Sequence, residues 1–268
     1  MNDQTQVIAN NCIKRLKDLR CCVIIPTYNN AGTLSAVIDE TLEYCADVIV
    51  VNDGCTDGTA QIISSFGERI RSLTQERNQG KGVALQCGMA YAQRLGFWYA
   101  ITMDSDGQHY PSDIPNFVDA IEQNPGTLLV GARNLNADGM PGKNTFANRF
   151  SNFWFRLETG VRLEDTQSGF RAYPLDKISL GSHLLTGGYE FELEMLVFTA
   201  WRGIPVKNIP VRVYYPPEGE RVSHFRPFRD FTKISILNTL LVLYCLLWRW
   251  PANFFRKLSW KNIKSFID

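Results

Sequence analysis

Short apolar runs rich in β-branched residues alternate, from residue 21 onward, with stretches whose apolar positions recur every three or four residues. CCVII at 21–25 predicts a buried strand closed by Pro26, and 33–44 (TLSAVIDETLEY) predicts a helix with Thr33 as its N-cap. DVIVV at 47–51 predicts the next strand, with Asn52-Asp53-Gly54 as the turn behind it. Residues 57–66 read as a helix, 69–74 as a short strand, and 80–96 as a helix with glycine at both ends. WYAITM (98–103), a helix over 112–123 and the strand TLLVGA (127–132) continue the alternation. Such a pattern predicts an α/β fold, a mostly parallel sheet flanked by helices on both faces.

Beyond residue 135 the pattern changes. Residues 144–159 and 189–202 predict helices, 165–174 (DTQSGFRAYP) a polar loop entering a short strand, and 204–215 a strand with prolines at its edges. Residues 216–230, rich in Pro, Arg, Gly and aromatics, predict a loop. The apolar run ISILNTLLVLYCLLW (234–248) contains Asn238, is flanked by Lys233 and Arg249, and falls short of the roughly 17–20 residues a membrane span needs. It predicts an interfacial or packed helix, a core or dimer helix being the competing reading. The boundaries that follow are an N-terminal helical extension (1–20), one domain (21–215) with halves at about 21–134 and 135–215, and a C-terminal tail (216–268).

Composition excludes whole classes. With 45% hydrophobic and 21% charged residues, the 268-residue chain is neither disordered nor collagen-like, and no repeat is present. The formal net charge of +1 conceals an asymmetry: residues 221–268 carry nine Lys/Arg against two Asp/Glu, so the remainder is acidic. A basic tail with Trp250, Phe254 and Phe255 suits lipid headgroups, and no motif supports nucleic acid. Seven cysteines without a CxxC, and a first segment lacking an apolar signal core, predict a reducing setting at the cytoplasmic face of a membrane.

Ligands of open α/β sheets bind beyond the carboxyl ends of the strands. Those ends carry Pro26-Thr27-Tyr28-Asn29, Asn52-Asp53-Gly54 and Asp104-Ser105-Asp106-Gly107-Gln108-His109. In an extended chain Asp104 and Asp106 project to one side, where their repulsion invites a hard divalent cation, Mg2+ or Mn2+, with Gln108 as a further oxygen donor. A nucleotide diphosphate would complete such a shell. Gly80-Lys81-Gly82 at a helix start adds an anion site with a point charge. The spacings of a Walker loop and of GxGxxG are both absent.

Together, VIIPTYNN (23–30), VVNDGCTDGT (50–59), NQGKGVALQCGM (78–89), MDSDGQH (103–109), VGARN (130–134) and DTQSGFRAY (165–173) resemble family-2 glycosyltransferases. The likeness is strongest to the dolichyl-phosphate mannose synthase branch and its bacterial polyprenyl-phosphate relatives, over about residues 20–215. It implies a GT-A fold and metal-dependent, inverting transfer from a UDP- or GDP-linked sugar. By position it implies Pro26, Tyr28 and Asn29 around the nucleoside and Asp53 at the base. Asp104 with Asp106 would hold the ribose side and the metal, which Gln108 helps to coordinate, and Arg133 would lie near the phosphates, where Lys81 of the glycine-flanked helix start adds its charge. Asn30 departs from the glutamate that relatives often carry there. The acceptor half would use Asp165, as general base toward a hydroxyl or as organiser toward a lipid phosphate, with Lys143, Arg149, Gln167 and Glu192 as acceptor-side candidates. His109 is expected to shape its loop, and His183 and His224 have no partner pattern. The expected partners are a nucleotide-sugar donor, a polyprenyl phosphate or glycan acceptor, a membrane surface and, compatibly, a second copy. Two rivals stand beside this reading: a family-2 enzyme acting on a sugar or lipid hydroxyl, and a non-catalytic nucleotide-binding protein.

Overall fold

The computed structural model describes residues 3–133, 142–181, 184, 186–215 and 227–252. Seven strands form one sheet in the order β3-β2-β1-β4-β6-β5-β7: β1 (Cys21–Thr27), β2 (Val48–Asn52), β3 (Arg71–Thr74), β4 (Tyr99–Thr102), β5 (Leu128–Arg133), β6 (Arg171–Pro174) and β7 (Val206–Val211). All run parallel except β6, which is antiparallel to both β4 and β5. Strand β1 continues through Pro26, which the sequence marked as its end. The proline is tolerated because β4 stops at Thr102, opposite Ile24, so no ladder bond is lost on that side.

Alternation along β1 explains why both faces must be covered. Cys21, Val23 and Ile25 enter one apolar layer, beneath α1 (Asp3–Asp18), α2 (Leu34–Leu42) and α5 (Ile114–Gln123). Cys22 and Ile24 enter the other, with α4 (Lys81–Arg94) and α7 (Phe191–Trp201). Each fully buried Val or Ile contributes about 1.5–3 kcal/mol. The N-terminal helix belongs to this body: Ala9, Cys12 and Leu16 are buried, and Arg15 clamps Asp119 and Glu122 of α5 at 2.6 and 2.7 Å. All seven cysteines are free thiols.

Two helices differ from their predicted form. In α3 (Thr59–Ser65) and its neighbours the boundaries agree to within two residues; Thr33 occupies the N-cap position of α2 as expected, but its hydroxyl donates to Ser105 O at 2.7 Å instead of capping the helix. The C-terminal helix α8 (Pro227–Tyr244) begins inside the predicted loop and continues through a widened π-turn at Cys245–Arg249. Its 24 residues from Arg229 to Ala252 are long and apolar enough, by length and composition, to cross a bilayer. Leu237, Leu241 and Cys245 pack against the body, while Ile236, Leu240, Leu243 and Leu247 stay exposed. The buried stripe of α6 (Gly142–Thr159) mixes Phe155 with Asn148, Ser151 and Glu158.

Candidate active site

The carboxyl ends of β1, β2 and β4 open on one cavity of about 960 Å³. Of the predicted donor-side residues, Pro26, Tyr28, Asp53, Lys81, Asp104 and Asp106 line it. Asn29 does not: at φ 50° its Oδ1 accepts the Thr56 amide at 2.8 Å, stapling the loop after β1 to the loop after β2. Gln108, Arg133, Arg149, Asp165, Gln167 and Glu192 also lie outside the lining among the described residues.

The two aspartates are placed by a turn rather than by strand alternation. Strand β4 ends at Thr102, and the chain reverses around Gly107 (φ 75°), with Asp106 Oδ1 accepting the Gln108 amide at 3.0 Å. Asn30 Nδ2 donates to Ser105 Oγ at 2.7 Å and ties this turn to the first loop. His109 shapes the turn: its Nδ1 accepts the Asp104 amide at 3.3 Å, and its ring stacks on Phe170 at 5.1 Å. His183 and His224 lie outside the described residues.

Lys81 sits at the junction of the two halves, 2.6 Å from Asp104 and 2.8 Å from Glu192. Its direction is set by Asp53, whose two carboxylate oxygens accept the amides of Gln79 (2.7 Å) and Gly80 (2.9 Å). Gly80 has φ 102°, and a Cβ there would meet Gly187 O at 2.6 Å, so only glycine fits. Burial works against the Lys81 ammonium, yet Asp104 and Glu192 hold its pKa above the ordinary value. Burial likewise opposes the Asp104 carboxylate, and Lys81 outweighs it and lowers the pKa; Asp106 is raised, by burial and then by the charge of Asp104.

A divalent cation fits this corner. The site holds two carboxylates, and Asp106 resists ionisation first because it is buried and then because Asp104 is charged, a conflict that a cation would relieve. Among the described residues no third His, Cys, Asp or Glu joins them. A hard ion there would take its remaining oxygens from substrate and water.

Arg171, which sequence reasoning missed, organises the floor of the site. It is 1% exposed and donates to the carbonyls of Ser168 (2.7 Å), Thr166 (3.0 Å) and Glu192 (2.6 Å). Its signal was an arginine placed at the start of an apolar strand. The loop it holds brings Gly169 against the ion pair, where a Cβ would meet Asp104 Oδ2 at 2.6 Å and Lys81 Nζ at 2.9 Å.

Asp165 is fully buried and fully engaged. Arg133 grips it with Nε (2.5 Å) and Nη2 (3.0 Å), Asn148 Nδ2 donates at 2.6 Å, and the Gln167 amide donates at 2.9 Å. Burial alone would raise its pKa, but the Arg133 guanidinium overrides this and lowers it. Gln167 and Arg149 are exposed, Lys143 falls on α6 with its side chain outside the described residues, and Glu192 serves Lys81. Sequence reasoning also missed the far wall, formed by Gly187, Gly188, Tyr189 and Glu190 and by Arg229, Asp230 and Lys233 of α8. The Gly187-Gly188 pair and the spacing of Arg229 and Lys233 were its only sequence signals.

Residues 22–173 match the family described as glycosyl transferase family 2. Polyprenol monophosphomannose synthase of Mycolicibacterium smegmatis is 28% identical over 204 residues, covering 72% of this chain and 76% of that protein. Glycosyltransferase AglJ of Haloferax volcanii is 30% identical over 212 residues, covering 78% of this chain and 67% of that protein. Among solved structures, glucosyl-3-phosphoglycerate synthase from Mycobacterium tuberculosis, in complex with Mn2+, UDP and glucosyl-3-phosphoglycerate, has a TM-score of 0.63. It is 21% identical and covers 88% of this chain and 82% of that one, a likeness of fold.

Proposed function

The chain belongs to glycosyl transferase family 2, and on that premise we propose that it moves a sugar, with inversion, from a nucleotide-diphosphate sugar to the phosphate of a polyprenyl lipid. One observation carries this reading. The cavity that holds Asp104, Asp106 and Lys81 is walled by the first turns of α8, the helix whose outer face is exposed and apolar.

The diphosphate leaving group gains negative charge as its bond to the sugar breaks. Lys81, aimed by the Asp53–Gly80 contact, would stabilise that charge beside the phosphates. A divalent cation held by Asp104 and Asp106 would supply Lewis-acid stabilisation of the same oxygens. An acceptor phosphate is already anionic near pH 7 and attacks the anomeric carbon without a base, from the face opposite the leaving group. Asp165, tied to Arg133 and Asn148, suits an organising role and is poorly placed to take a proton. The name of the Mycolicibacterium relative favours a lipid phosphate acceptor, and the Mn2+ and UDP bound by the Mycobacterium enzyme favour the cation and the nucleotide. Helix α8 would lie along the cytoplasmic face of a membrane rather than through it, since one of its faces is packed on the body.

The test is to incubate the full chain with UDP- and GDP-sugars, Mg2+ or Mn2+, and vesicles containing polyprenyl phosphate, and to weigh the product. A glycosyl phosphoprenol is expected, with turnover falling at least about 100-fold in Asp104→Ala. Sugar found on a polyprenol or glycan hydroxyl, or unchanged turnover in the variant, rejects the proposal.

A further inference from the structure

Among the described residues the cavity wall carries three cations, Lys81, Arg229 and Lys233. Lys81 is occupied by Asp104 and Glu192. The arginines behind the wall are occupied as well, Arg133 by Asp165 and Arg171 by three carbonyls. Arg229 is exposed and makes no ion pair or hydrogen bond among the described residues. Among the described residues Lys233 reaches only Glu190, at 3.6 Å, with 42% of its side chain exposed.

Their spacing matters. Four residues apart on α8, the two side chains share one helix face, and that face looks into the cavity. Further along the same helix, exposed apolar residues recur at helical spacing from this pair: Ile236, Leu240, Leu243 and Leu247, the last 76% exposed. From Lys233 to Leu247 the helix runs about 21 Å. A prenyl chain following it would bring its head to Arg229 and Lys233. A donor diphosphate beside Lys81 leaves the second anion of the reaction, the acceptor phosphate, with Arg229 and Lys233 as the remaining cations of the cavity wall among the described residues. Arg149 is exposed away from the cavity and does not supply one.

We infer that Arg229 and Lys233 are the pair that binds the acceptor's phosphate, an assignment that rests on the function proposed above. The same chemistry would suit the donor's phosphates, so the test separates the two sources. Steady-state rates are measured on the full chain with polyprenyl phosphate in vesicles, varying donor and acceptor separately, for wild type, the double variant Arg229→Ala/Lys233→Ala and the charge-keeping Arg229→Lys/Lys233→Arg. The expected result is a rise of tenfold or more in acceptor KM in the alanine pair, with donor KM within twofold, and recovery of most of the loss in the charge-keeping pair. Flotation gives a readout independent of turnover. Wild type should prefer vesicles with polyprenyl phosphate over vesicles with polyprenol matched in surface charge by phosphatidylglycerol, and the alanine pair should not. An unchanged acceptor KM, a rise confined to the donor KM, or failure of the charge-keeping pair to recover overturns the assignment while the proposed function stands. A wild-type chain that glycosylates no lipid phosphate overturns both.

Discussion

Glu158 is the sharpest test of the energetics. It lies on α6, 1% exposed, between α7 and α8, and neither carboxylate oxygen has a hydrogen-bond partner. Its neighbours look elsewhere. The Cys245 thiol and the Trp201 indole both donate to the Glu158 backbone carbonyl, and the Arg249 guanidinium donates to Trp201 O. Burial therefore pushes the Glu158 pKa from 4.5 up to about 8. In that window the folded chain holds a proton that the unfolded chain has released, so stability falls as pH rises from about 4.5 to 8. At 1.36 kcal/mol per pH unit, the loss reaches about 3 kcal/mol at pH 7 and levels off near 5 kcal/mol above pH 8, both as upper bounds. Glu158→Gln removes the ionisation and keeps the shape. Urea unfolding followed by tryptophan fluorescence at pH 5, 6, 7 and 8 should show the variant's advantage growing by about 1 kcal/mol per pH unit. An advantage that stays constant across that range would refute the assignment of an unpaired, desolvated carboxyl.

Asp165→Asn should cost about 3–5 kcal/mol in unfolding free energy, because the partly buried Arg133 would be left without its counter-charge; a loss below about 1 kcal/mol would contradict the clamp. Gly88→Ala should cost about 1–3 kcal/mol, since a Cβ there would meet Ile24 Cγ2 at 2.7 Å and Val51 Cγ2 at 3.0 Å; denaturant melts measure it. Gly169→Ala should lower turnover at least about tenfold by displacing Asp104 from Lys81; equal kcat and KM would show that the contact is immaterial. Leu243→Lys with Leu247→Lys should abolish flotation with vesicles and leave the melting temperature unchanged, because both side chains are exposed.

Much of the nucleotide half was legible because its logic is local. A strand such as CCVII, a turn such as Asn52-Asp53-Gly54 and a glycine-bounded helix announce themselves within a dozen residues, and their ends meet by topology. What the sequence hid was long-range. Nothing in RAYP reveals that β6 enters the sheet antiparallel between β4 and β5, so that the loop before it, not after it, reaches the site rim. Asn29 and Asp165 were read as facing substrate, whereas the structure gives both to protein partners 27 and 32 residues away. The apolar run of α8 was read as too short because it holds Asn238 and is bounded by Lys233 and Arg249; the helix starts earlier, inside the predicted loop, and its Arg229, Asp230 and Lys233 turn into the cavity.

The π-turn at Cys245–Arg249 has a mechanical consequence. Leu237, Leu241 and Cys245 recur every four residues, and four steps of about 100° overshoot a full revolution by about 40°. Left uncorrected, the inward stripe would wind around the cylinder and surrender its grip. The wider turn takes back that surplus, so Arg249 still meets the Trp201 ring, 5.2 Å from its centroid. The far end is thereby anchored, while Ile236, Leu240 and Leu243, four and three residues apart ahead of the wide turn, keep to one side of the helix by ordinary α spacing. Deleting one residue within 245–249 should let the wide ring close into an ordinary α-turn, since the π-turn holds one residue more than an α-turn between its hydrogen-bonded ends.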